Sequence, residues 1–174
     1  MTGFPLFPYF CIPPKNRYFQ SHLMKKVYHN REKEEIMHVH IHLYCPEKMP
    51  SCYRKAILEY EKRLGRYTKI QLHKIQKEKE WEKCLTDTGE GFYLITGTSQ
   101  SSEEFSRKIG KWESSGMKEI HFYVDPSCQD EIPSEHLLAF SISRFQINGS
   151  MTALILYEQI YRAYRILHNH PYHK

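Results

Sequence analysis

The sequence predicts an α/β domain in which a mostly parallel sheet carries helices on both faces. Three observations lead there. Segments with the two-residue alternation of strands and segments with a helical repeat follow one another from Met37 onward, five times over. Capping or turn residues separate them. The last segment, 150–168, is the longest and is apolar nearly all round.

The elements follow in order. His38-Val39-His40-Ile41-His42-Leu43 alternates strictly and reads as a strand. Across residues 50–65, Cys52, Ala56, Tyr60 and Leu64 recur every four with Ile57 beside them, which makes an amphipathic helix ended by Gly65. Ile70 and Leu72 mark a second strand, and the charged stretch 77–85 is a short helix before a turn at 87–91. Phe92-Tyr93-Leu94-Ile95 is a buried strand. Ser101 and Glu104 have capping-box spacing and open a helix with Phe105, Ile109 and Trp112 inward and Gly116 at its end. Ile120, Phe122 and Val124 form the next strand. Residues 133–138 are expected as a short helix, and 140–145 as a short strand or extended loop.

Composition narrows the class. The chain has 174 residues, enough for one α/β core, and its 40% hydrophobic and 26% charged residues are those of a soluble globular protein. No apolar run approaches the ~18–20 residues that span a bilayer. The opening MTGFPLFPYFCIPP is broken by Pro5, Pro8, Pro13 and Pro14, so no signal peptide is expected. Residues 1–36 have neither periodicity and carry +3 of the net +5. They are expected to be a disordered extension, or to precede the start that translation uses. The domain proper is 37–174. Its weak charge leaves any phosphate contacts to local patches.

Five cysteines, an odd number without a CxxC pair, suit a reducing cytoplasm. His38, His40 and His42 share one strand face at ~7 Å spacing, too far for two of them to hold one ion easily, so no metal is expected. On the last helix, Glu158, Arg162 and Arg165 form one polar stripe. They read either as an intrahelical ion pair or as a phosphate contact. A terminal helix so widely apolar calls for a homodimer interface.

Two motifs carry a family resemblance. Tyr157-Glu158-Gln159-Ile160-Tyr161-Arg162-Ala163-Tyr164-Arg165-Ile166-Leu167, followed by His170-Pro171-Tyr172-His173-Lys174, resembles the C-terminal signature of the RlmH family of SPOUT-class methyltransferases. Ala56 to Leu64, with Arg66-Tyr67-Thr68-Lys69-Ile70 after it, is similar to that family's first helix and second strand. The resemblance spans 37–174. It implies a C-terminal trefoil knot, a dimer packed through the last helix, and S-adenosylmethionine as methyl donor. The implied substrate is N3 of a pseudouridine in large-subunit ribosomal RNA of assembled ribosomes, in the cytoplasm.

The resemblance also implies roles. Tyr172, His173, Lys174 and Arg162 stand for the catalytic residues: His173 can exchange a proton, Lys174 and Arg162 can hold phosphate, and Tyr172 can stack on a base. The donor pocket corresponds to Leu94 with Gly97 in the turn after it, to Asp125, and to Phe140-Ser141-Ile142-Ser143-Arg144-Phe145. Three positions depart from the family. Its double-glycine loop is Asp125-Pro126-Ser127-Cys128-Gln129 here, its Pro-His is Asn148-Gly149, and an arginine early in the last helix is Ala153. A divergent SPOUT dimer that binds RNA or the ribosome without catalysis is the alternative, and a pocket for another nucleoside-like ligand a third reading.

Overall fold

The computed structural model describes residues 36–87, 91–97, 100–125, 132–133 and 135–171. The extension expected over 1–36 lies outside them except for Ile36, as do most of the 87–91 turn and the glycine-free stretch 126–129. Within them run strands β1 (His38–Tyr44), β2 (Lys69–Ile75), β3 (Gly91–Leu94), β4 (Glu119–Val124) and β5 (Leu137–Phe140). The helices are α1 (Ser51–Leu64), α2 (Glu78–Asp87), α3 (Ser102–Ser114) and α4 (Gly149–Leu167). The strands form one sheet in the order β2-β1-β4-β3-β5, and every pairing is parallel. No helix here is long and apolar enough to cross a membrane.

Alternation along the strands sorts side chains between two unlike faces. Val39, Ile41 and Leu43 of β1 join Ile120, Phe122 and Val124 of β4 in the main core, beneath α1, α3 and α4. Helix α4 supplies Ala153, Leu156, Tyr157, Ile160, Ala163 and Tyr164 to that core. The phenols of its buried tyrosines find carboxylates at the rim: Tyr157 donates to Glu61 and Tyr164 to Glu113, both at 2.8 Å. Burial, then those carboxylates, holds both phenols far above the ordinary tyrosine range.

The opposite face is covered at its carboxyl end by α2, whose Trp81 and Leu85 pack with Tyr93, Tyr123 and Leu137. Its remainder is a stacked array of histidines. His40 Nδ1 lies 3.0 Å from His73 Nε2, and His42 Nε2 lies 3.1 Å from His121 Nδ1. The His42 and His73 rings stack at 4.8 Å, and those of His40 and His121 at 4.9 Å. Desolvation first, then the neighbouring histidines, pulls the His42 pKa down to about 3. His40 and His73 are lowered by the same burial, and His121 is lowered although Glu119 opposes the shift.

Helix ends are as the sequence expects. Ser101 Oγ accepts from the Glu104 amide at 3.1 Å while the Glu104 carboxylate accepts from the Ser101 amide at 2.8 Å. Gly116 closes α3 at φ +77°, with its own amide on the Glu113 carbonyl and the Met117 amide on Trp112. Asn169, at φ 52°, closes α4 with the same pair of bonds, to Ile166 and from His170 to Arg165. The short helix expected over 133–138 is a correction: a turn at 135–136 leads into β5. Strand β3 would otherwise present an unpaired edge, and pairing with 137–140 satisfies it. The chain after Phe140 is loop, not strand.

Two outcomes test this packing. A Cβ built on Gly91 would lie 2.6 Å from Tyr123 Cε2 and 3.0 Å from the His121 carbonyl oxygen. Gly91→Ala should therefore cost about 1–3 kcal/mol in urea unfolding. The lowered histidine pKa values mean that the unfolded chain takes up protons near 6.5 that the fold refuses. Stability is thus complete above that pH and lost as pH falls below it, down toward about 3 for His42. In metal-free buffer the urea midpoint should drop between about pH 7 and about pH 5, and should drop less in His42→Gln.

Candidate functional site

In a parallel sheet, ligands bind beyond the carboxyl ends of strands where the order reverses. Here β4 inserts between β1 and β3, and β5 lies beyond β3. A cleft with about 380 Å³ of free space, part of it open to solvent, lies at that end. Leu94, Ile95 and Thr96 come from the end of β3, and Val124 and Asp125 from the end of β4. Ile142, Ser143, Phe145, Gln146 and Ile147 belong to the loop before α4, and Thr152 to its first turn.

Hydrogen bonds set the shape of these loops. The Ile95 amide donates to the Phe140 carbonyl at 2.9 Å, and the Gly97 amide to the Ser143 carbonyl at 3.1 Å. Ser141 Oγ donates to that same Ser143 carbonyl, and Ser143 Oγ accepts from the Phe145 amide at 2.9 Å. Asn148 caps α4 by accepting from the Met151 amide at 2.9 Å. Asp125 is held at the rim by Tyr93, whose hydroxyl donates to it at 3.3 Å.

The expected donor-pocket residues thus come together, with differences of role. Leu94, Asp125, Ile142, Ser143 and Phe145 line the cleft. Gly97 and Ser141 tie the walls to each other without lining it. A side chain at Gly97 would meet Ser141 only at an ordinary 3.7 Å, so close approach is not what this glycine serves. Phe140 turns its ring into the core against Phe105 and Phe122, so only its backbone serves the site. Arg144 is exposed beside the lining residues. The sequence did not single out Val124, Gln146, Ile147 and Thr152, which also line the cleft. Val124 was legible in the sequence as the last apolar residue of a strand in a parallel sheet.

Arg162 does not line the cleft. Ten residues of helix separate Thr152 from Arg162, about 15 Å at helical rise. Beyond α4 the chain docks on Tyr67: the His168 ring stacks on it at 5.1 Å, and His170 Nδ1 lies 3.1 Å from its hydroxyl. Tyr67 itself stacks on Tyr164 at 5.4 Å, and Arg165 Nη2 donates to the Pro171 carbonyl at 2.6 Å. Tyr172, His173 and Lys174 lie outside the described residues.

The cleft can do definite chemistry. Leu94, Val124, Ile142 and Ile147 offer apolar surface for a flat ring, loop backbone offers edge contacts, and Asp125 adds one carboxylate to the lining. The family model described as "Predicted SPOUT methyltransferase" matches residues 37–173. The chain belongs to that family. Among its relatives is "Ribosomal RNA large subunit methyltransferase H 1" of Thermoanaerobacter sp. (strain X514), 36% identical over 131 residues, covering 73% of this chain and 92% of the relative. The "Ribosomal RNA large subunit methyltransferase H" proteins of Syntrophomonas wolfei and Limosilactobacillus reuteri are 34% and 33% identical. Those two matches cover 71% and 73% of this chain and 92% and 94% of the relatives. This SPOUT domain is accordingly a methyltransferase domain, and its cleft is the place to look for the methyl donor.

The loop bonds make a local prediction. Ser143→Ala removes the acceptor for the Phe145 amide. Hydrogen exchange at Phe145 and its loop neighbours should quicken by about tenfold while the global urea midpoint holds.

Proposed function

We propose that this chain transfers a methyl group from S-adenosylmethionine to N3 of a pseudouridine in large-subunit ribosomal RNA. The observation that carries the reading is the cleft at the carboxyl ends of β3, β4 and β5 in a chain of the SPOUT family. The relatives' names supply the RNA. The residues present fit the donor. Leu94 and Ile142 would wall the adenine, the loop backbone would meet its edge, and Asp125 would accept from a ribose hydroxyl. Bound S-adenosylmethionine supplies an electrophilic sulfonium methyl. The chain's part is to align it with N3, exclude water through the 141–147 loop, and assist loss of the N3 proton.

The cleft and Arg162 lie toward opposite ends of one helix. A dimer through α4 resolves this. The helix leaves Met151, Leu154, Ile155 and Ile166 incompletely covered, in a stripe that also holds Glu158 and Arg162. A second copy running antiparallel along that stripe would bring its own Arg162, Tyr172, His173 and Lys174 to this cleft. The trefoil threading of the SPOUT class and a cytoplasmic setting belong to the same reading.

The test is transfer of labelled methyl to assembled ribosomes that lack the mark. Wild-type protein should transfer, while Ile142→Arg, which fills the cleft, and the pair His173→Ala with Lys174→Ala should each transfer far less. Mixed and re-equilibrated, the two inactive proteins should regain about a quarter of wild-type activity, because half of the dimers then hold one intact composite site. No recovery would place the tail at its own chain's cleft. A folded wild-type dimer that binds ribosomes without transferring methyl would establish the non-catalytic alternative.

A further inference from the structure

The histidine array on the second sheet face has no part in the methyl-transfer reading. We infer that His38, His40 and Glu119 form a binding site for a divalent transition-metal ion of the zinc type. One donor atom from each lies within 4.8 Å of the others. Register explains the meeting: His38 of β1 sits opposite Glu119 of β4, and His40 opposite His121. All three donors therefore gather at the amino end of the two central strands. The methyl-donor cleft lies at the carboxyl end.

The state of His40 points the same way. Its Nδ1 is engaged by His73 Nε2 at 3.0 Å. Its Nε2 is enclosed by the protein and has no hydrogen-bond partner among the described residues. An enclosed ring nitrogen without a partner is an exception that asks for a cause. When Nδ1–H is donated to His73, Nε2 carries a lone pair, the form in which imidazole binds a metal. A hydrogen bond from the opposite ring nitrogen is the usual device that orients such a ligand. Thus His40 already has the outer contact of a metal-binding histidine and lacks only the inner one.

The donor set selects the ion. Two imidazoles and one carboxylate suit zinc and its neighbours, whereas calcium and magnesium need mostly oxygen. Ligand bonds of about 2.0–2.2 Å require the three donors to draw together from their present spacing. Glu119, whose side chain is 59% exposed, is free to make that movement by rotation. The carboxylate lies 3.6 Å from His121 Nε2, so that histidine flanks the ion from the side. His38 is half-buried and Glu119 exposed, which leaves a coordination position open to water.

The expectation of no metal considered one strand alone, with histidines ~7 Å apart along it. Two things alter that spacing argument. The His38 and His40 rings lean to a centroid distance of 6.3 Å, and the neighbouring strand adds the carboxylate.

The test uses the full chain without a tag, stripped by chelator and titrated with zinc chloride against a chromophoric competitor. One ion should bind per chain, and cobalt in its place should give the strong visible bands of a low-coordinate site. His38→Gln combined with Glu119→Gln should weaken binding by about tenfold or more and remove the cobalt bands, with circular dichroism unchanged. Glu119→Gln alone, at an exposed position, should weaken it in the same direction should the double variant misfold. His168→Gln with His170→Gln should leave affinity intact. Undiminished binding in the Glu119 variants, or loss in the His168 and His170 pair, would overturn the assignment.

Discussion

The seating of α4 across the apolar face of the sheet is the constraint on which the rest depends. Nine of its residues are buried, and they reach the sheet, α1 and α3 together. Each large apolar side chain so buried contributes about 1.5–3 kcal/mol. The polar atoms carried in with them are answered in place. Tyr157 and Tyr164 meet Glu61 and Glu113, and Ser106 Oγ donates to the Ala163 carbonyl. These contacts fix both the rotation of the helix and its position along its axis. Its first turn then forms one wall of the cleft, and its last turn holds the chain end against Tyr67.

That seating also separates the chemistry. The apolar cleft, with its carboxylate, is at one end of α4, and Arg162 and Arg165 are toward the other. A rigid helix cannot bring its own two ends together. Two helices laid antiparallel would exchange ends, which is why the proposed methyl transfer invokes a second copy.

The two faces of the sheet solve burial differently. One is covered by three helices and is apolar across β1 and β4. The other receives a single helix of ten residues, so half of it is left to histidines that stack and share protons. An imidazole suits such a place because it presents a flat, largely apolar ring and can stay neutral when enclosed. The same neutrality leaves nitrogen lone pairs available, and Glu119 stands where a cation would bridge the two central strands.

The sequence by itself determined the element types and the order in which they alternate, because period and capping chemistry are local. The Ser101 box, the Gly116 stop, the inward set of β1 and the length of α4 all follow from neighbours a few residues apart. It also carried the motifs that mark the family, and it named the loop segments that wall the cleft. Local pattern misjudged 133–138, where the free edge of β3, a remote partner, decided for a strand. The ring of Phe140, at the end of β5, packs into the core against Phe105 and Phe122, contacts that no local pattern shows. Only the tertiary structure brought the ends of β3 and β4 and the loop before α4 together as one cleft. Only register across β1 and β4 placed a carboxylate beside two histidines eighty residues away in the chain. Contacts between distant segments have no period, and folding alone brings them together.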